Sequence, residues 1–92
     1  MTLLGYHFLN SDRRLGYGDH RLVEVGRTLM VDCDLVICES GLHACTRAID
    51  ALGYAPGPIA CRVQLGGRVI HDTGKAVATE RTCLAMADAT DI

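Results

Sequence analysis

From Ile59 to Leu65 the chain alternates without a break, with Ile59, Cys61, Val63 and Leu65 on one side and Ala60, Arg62 and Gln64 on the other. A period of two residues marks a strand with one packed face and one wet face. Leu3 to Leu9 has little polar relief and predicts a central strand, buried on both faces, in which Tyr6 and His7 point to opposite sides. Leu35-Val36-Ile37-Cys38 is a short apolar run rich in β-branched residues, again strand-like. Arg21 to Val25 and Thr28 to Val31 alternate weakly around Gly26, which predicts two short edge strands or an irregular arm.

Between these runs the pattern changes period. Thr46 is placed as an N-cap, and Ala48, Ile49, Leu52 and Ala51 make one apolar face of a short helix ending at Gly53, with Asp50 near its first turn. Pro56 and Pro58 forbid its continuation, and Gly57 between them permits a reversal. Gly66-Gly67 suits a two-residue hairpin turn, after which Arg68 to His71 returns as a partner strand for Ile59 to Leu65. From Lys75 to Ala89, apolar residues recur at helical spacing in an Ala-rich stretch, predicting a C-terminal helix. The expected fold class is α+β: a small antiparallel or mixed sheet of about four to six short strands with one short inserted helix and one C-terminal helix, in a single domain over residues 1–92.

Composition narrows the function classes. A chain of 92 residues supports one core that buries about 60 to 65% of the unfolded surface. The net charge of −2 lacks a basic footprint, which argues against nucleic acid as the main partner. No opening stretch has the charged start and apolar run of a signal peptide, and no apolar run approaches the roughly 18 residues that span a bilayer. The expected location is the cytoplasm. There the five cysteines, with no tight framework spacing, read as reduced core residues.

Three chemical constellations can be drawn from the residue types. Cys33, Cys38, His43 and Cys45 carry zinc-compatible ligands, but their C-x4-C-x4-H-x-C spacing is looser than the paired knuckles of structural zinc sites. Cys45 beside the Thr46 cap, with His43 or His7 as base, has the residue types of a nucleophilic thiol, without a third partner or an oxyanion hole. His43, between a turn glycine and a helix start, either orients a ligand or hydrogen-bonds its own loop, and Tyr54 either binds or staples the helix end to the prolines. Core cysteines and a structural His43 are the favoured readings, and no metal or cofactor is expected.

The segment Cys-Glu-Ser-Gly-Leu-His-Ala-Cys (38–45), with Ile-Asp-Ala-Leu-Gly-Tyr-Ala-Pro-Gly (49–57) and Cys-Arg-Val-Gln-Leu-Gly-Gly (61–67), resembles a small, functionally uncharacterised domain met in bacterial and phage proteins. The likeness covers roughly residues 5 to 86 and implies no activity. A fainter resemblance is to ADP-ribosyltransferase-like folds, carried by Tyr6-His7, Gly41-Leu42-His43, Ala51 to Tyr54 and Cys61 to Leu65 in that order. It implies that His7 and His43 line a nicotinamide-type pocket, with Glu80 the only late candidate for the catalytic glutamate.

Two functions follow as expectations. The first is a non-enzymatic protein-interaction module, phage or mobile-element encoded, that inhibits a host assembly such as a nucleoprotein complex in the manner of anti-CRISPR proteins. Its contact residues would be Tyr6, Glu39, His43 and Tyr54. The alternative is an ADP-ribosyltransferase-like NAD-binding protein or degenerate enzyme built on His7, His43 and Glu80.

Overall fold

Ile59, Cys61, Val63 and Leu65 do form one face of a strand, each no more than 1% exposed, and the rest of the chain is arranged around it. The structure is a computed structural model that describes residues 2–15, 19–37, 40–53, 55 and 57–88. In chain order its elements are β1 (Leu3–Leu9), β2 (Thr28–Met30), β3 (Leu42–Cys45), α1 (Ala48–Leu52), β4 (Ile59–Asp72) and β5 (Lys75–Asp88). All strand pairings among the named elements are antiparallel.

The sheet order is β2-β5-β3-β1-β4, and β4 pairs with β5 as well, so the sheet closes on itself as a small barrel. β1 lies along β4 from Leu3 opposite Leu65 to Leu9 opposite Ile59. β2 and β3 line up end to end on the other flank of β5, β2 against Glu80 to Thr82 and β3 against Lys75 to Ala78. The stretch between them leaves the sheet, and Val36 and Ser40 pinch it together through two backbone hydrogen bonds of 3.0 and 2.9 Å. Inside the barrel Leu9, Leu42, Ala44, Ala76, Ala78 and Cys83 pack against the inward face of β4. Each fully buried Val, Leu or Ile side chain there contributes roughly 1.5–3 kcal/mol.

This is an all-β fold, and the α+β expectation is corrected with it. The predicted C-terminal helix over Lys75 to Ala89 is instead the strand β5, and Ala89 lies outside the described residues. The cause is tertiary. β5 is flanked by β4 on one side and by β2 and β3 on the other, so its backbone groups are claimed by neighbours, which outweighs the helix preference of alanine. Its alternation also breaks: Ala76 and Ala78 face the core at one end, Arg81 and Cys83 at the other. An interval of three between Ala78 and Arg81 imitates helical spacing.

The expected hairpin turn at Gly66-Gly67 is a second correction. β4 runs straight through it to Asp72, and the chain reverses at Thr73-Gly74, where Gly74 has φ +70°. At Gly66-Gly67 the register slips by one residue, because Gly66 pairs with Glu80 but Val69 with Ala78. Gly67, at φ +67°, is required in this bulge, since a Cβ there would collide with Thr79 Oγ1 and lie 2.6 Å from the Glu80 carboxylate. Arg68 to His71 is therefore part of β4 and pairs with β5.

Smaller differences follow. Leu35 to Ile37 makes no strand beyond the Val36–Ser40 bridge. β1 is central between β3 and β4, but Leu4 on its outer side is half exposed. The inserted helix is reduced to the five residues of α1. Its N-cap is Arg47 with no side-chain cap, because the Thr46 amide donates to Gly74 O at 3.0 Å. Pro56 of the expected reversal lies outside the described residues. No helix among the described residues is long and apolar enough to cross a membrane.

Candidate functional site

Where β1 and β3 meet, the barrel is closed by a single matched pair, Tyr6 with Cys45. The direction of the β3 peptide groups can be worked out from its end. The Thr46 amide points to Gly74 at the start of β5, so by strand alternation the peptide groups of Cys45 and His43 point the other way, toward β1. The His43 carbonyl accepts a side-chain hydrogen bond there: Arg81 Nη1 donates to His43 O at 2.8 Å.

Arg81 reaches that position from the inward face of β5, where it stands opposite Leu65. It is 5% exposed and is the only charged side chain that is buried among the described residues. Burial lowers its pKa to about 10, which leaves it a cation at neutral pH. The ion pairs among the described residues are Arg21–Asp19, Arg27–Glu24 and Arg47–Asp50, so no described carboxylate neutralises it.

Two histidines feel this charge. His7 on β1 stands opposite Cys61, on the inward side with Gly5 and Leu9. Desolvation holds its pKa well below the usual imidazole range, and the positive field of Arg81 and the proximity of His43 add to the effect. His43 is lowered in the same direction, chiefly by desolvation with a smaller push from Arg81, while hydrogen bonds to the backbone at Val36 and Gly41 oppose it. Those bonds tie the His43 ring to the pinched excursion between β2 and β3. Gly41, at φ +115°, sits where a Cβ would collide with Val77, so the tie depends on a glycine there.

Cys61 and Cys83 complete the surroundings of Arg81. Both are 1% exposed, and the Cys83 thiol donates to the Ala85 carbonyl at 3.5 Å. Burial, with Cys83 beside it, pushes the Cys61 thiol up to about 12, so neither nucleophilic attack nor metal binding is favoured there.

The candidate residues from the sequence divide accordingly. His7 and His43 are brought near each other, beside Arg81. Glu80 is not: it pairs with Met30 and Gly66, and its carboxylate reaches toward Gly67 at the bulge. Tyr6 lies on the outer face, where its hydroxyl accepts a 2.9 Å hydrogen bond from Arg62 Nη1 and the guanidinium carbon lies 5.4 Å from the ring centre. Glu39, Tyr54 and Cys38 lie outside the described residues. Cys45 is buried and Cys33 half-buried. Among the described residues no group of three or more His, Cys, Asp or Glu side chains is placed to hold a metal. Sequence reasoning missed Arg81, because a helical reading of Lys75 to Ala89 put it on no particular face. The signal was present in the spacing of Arg81 and Cys83, two apart as on a strand.

Over residues 3–92 the chain matches the model of a family described as a domain of unknown function, DUF7666, and it belongs to that family. Comparison with curated proteins gives no match, and comparison with solved structures gives none either.

Proposed function

We propose that this member of the DUF7666 family works as a non-enzymatic interaction module, and that it docks on a protein partner through the exposed edge of β4. One observation carries the reading. β4 is paired on both sides only from Ile59 to Leu65; from Gly66 to Asp72 its partner is β5 alone among the described residues. An unpaired edge offers a row of backbone donors and acceptors that an extended segment of another protein can complete. Ile70, 44% exposed at the centre of this edge, is the apolar anchor. The bulge at Gly67 and the exposed Arg68, His71 and Asp72 disfavour open-ended pairing between copies, which leaves the edge to a partner of matching pattern.

The narrower form of the reading is an inhibitor of a host assembly, carried by a phage or mobile element and acting as anti-CRISPR proteins do. Small size and a net charge of −2 support it, since an acidic surface suits a basic, nucleic-acid-handling partner. A photo-crosslinking residue at position 70, expressed in the native host, tests the docking edge. A discrete adduct at position 70, absent with the same residue at exposed position 12, is expected. Equal or lower adduct yield at position 70 overturns it.

A second reading, an ADP-ribosyltransferase-like NAD-binding protein or degenerate enzyme, is favoured by the nearness of His7, His43 and Arg81. It requires a thermal shift on adding NAD that His43→Ala abolishes.

A further inference from the structure

The half of β4 that lacks a second neighbour is complementary to itself. The Thr46 amide donates to Gly74 O, so the peptide groups of Gly74 and Ala76 point toward β3 and those of Lys75 and Val77, by alternation, toward β4. Asp72 and Ile70 stand opposite Lys75 and Val77 and direct their backbone groups to β5. The Arg68 amide turns the same way, donating to Thr79 Oγ1 at 3.0 Å. Val69 and His71 therefore direct their backbone groups away from β5, along the edge that has no strand partner among the described residues.

Side chains along a strand alternate between its faces. Arg68, Ile70 and Asp72 share one face of this edge and are all exposed, with a cation and a carboxylate placed symmetrically about the apolar residue. Each charged group is steadied by one bond, Arg68 Nη2 to Cys33 O at 3.2 Å and Asp72 Oδ1 from the Thr73 amide at 2.7 Å. A second copy of the strand, antiparallel and related by a two-fold axis at Ile70, sets Ile70 against Ile70 and Arg68 against Asp72 of the other copy. In that register Val69 of each copy faces His71 of the other, and those are the residues whose backbone groups point outward. Ladder and charge pattern thus select the same alignment, and opposite charges facing each other across strands are favourable. Moving the axis to Val69 or to His71 sets Arg68 or Asp72 against Ile70 and loses the charge pairs.

We propose that this edge of β4 pairs with the same edge of a second copy of the chain, about a two-fold axis at Ile70. The inference rests on the docking reading of the edge and names one occupant for it. A two-fold pair consumes the edge of both copies and stops there, so it is not the open-ended pairing that the Gly67 bulge disfavours. The strip is short and buries less surface than a stable dimer needs, which gives a dissociation constant on the order of 0.1–1 mM. Dilute protein is monomeric with an open edge, and a partner that binds the edge more tightly displaces the second copy.

Sedimentation equilibrium of the full chain from about 10 µM to about 1 mM measures the pair, and 15N spectra over the same range locate it. The expected result is a monomer that passes toward a dimer at the upper end, with concentration-dependent shifts at the amides of Val69 and His71. Arg68→Asp and Asp72→Arg each set like charges against one another and should weaken association by roughly tenfold. An equimolar mixture of the two variants restores opposite charges in the mixed pair and should associate as the unaltered chain does, which misfolded variants would not. A chain that stays monomeric at the top of the range, or a dimer that both variants keep undiminished, overturns the proposal. If position 70 still crosslinks a host protein in that case, the docking reading survives; if it gives no adduct of either kind, both fall.

Discussion

A Cβ on Gly5 would stand 2.8 Å from the carbonyl oxygen of Cys45 and 3.1 Å from the Ala44 side chain. β1 and β3 thus touch backbone to backbone at the one place where they pair, and the closure of the barrel rests on a residue without a side chain. Gly5→Ala forces the strands apart there, at a cost of about 1–3 kcal/mol typical of overpacking. Gly26, exposed with φ +86° and nothing within 4 Å, gives the comparison. Gly26→Ala meets backbone strain alone, about 1–2 kcal/mol. Urea denaturation of both variants should place Gly5→Ala lower and, by opening the seam, increase the solvent exchange of the amides around His43.

Removing Arg81 separates packing from charge. Arg81→Met keeps most of the volume and removes a desolvated cation, but it removes the charge-assisted hydrogen bond to the His43 carbonyl, at a cost of about 1–3 kcal/mol. Arg81→Ala adds a cavity, and the total destabilisation rises to about 2–5 kcal/mol. Denaturant midpoints should therefore run wild type, Met, Ala in descending order. A Met variant as stable as wild type would mean that the carbonyl finds another donor.

His7 makes stability pH-dependent with a definite sign. Its folded pKa lies well below the ordinary value near 6.5, so between the two the unfolded chain holds more protons than the folded one. Stability is complete above the unfolded pKa and is lost as pH falls from there toward the folded pKa. His43 acts in the same direction. Urea midpoints measured from pH 8 down to pH 5 should decline, and His7→Gln should flatten the decline. An unchanged slope in that variant would assign the pH dependence to other groups.

The two core thiols should be inert until the barrel opens. Cys61 and Cys83 are buried, and the Cys61 thiol is pushed up to about 12, so almost no thiolate is present near neutral pH. Iodoacetamide labelling followed by peptide mapping should mark half-buried Cys33 well before Cys61 and Cys83, which are labelled only at the rate of unfolding. Cys61 labelling at the rate of Cys33 would show local opening of the β4–β5 ladder.

What the sequence allowed one to read was set by how many sides of each strand are covered. β1 was legible as a run, and the half of β4 from Ile59 to Leu65 was legible face by face, because its inner side meets the core and its outer side meets water. β5 was not. Its alanines favour helix, Ala76, Val77 and Ala78 are all buried, and the face switch between Ala78 and Arg81 erases the period of two. Gly66-Gly67 misled for a related reason: a positive φ serves a turn and a bulge equally, and only the pairing of Val69 with Ala78 tells them apart. His43 was singled out in the sequence from its place after the turn glycine Gly41. Arg81, which gives its neighbourhood meaning, was hidden inside a strand read as a helix.

The docking edge is tested most directly by residue-resolved amide hydrogen exchange of β4, alone and with the partner captured at position 70. Alone, the amides between Val69 and Asp72 that face away from β5 should exchange rapidly while those bonded to β5 stay protected. With the partner bound, the rapid set should slow by orders of magnitude. If those amides remain fast in the complex while protection arises elsewhere, the edge of β4 is not where this domain binds.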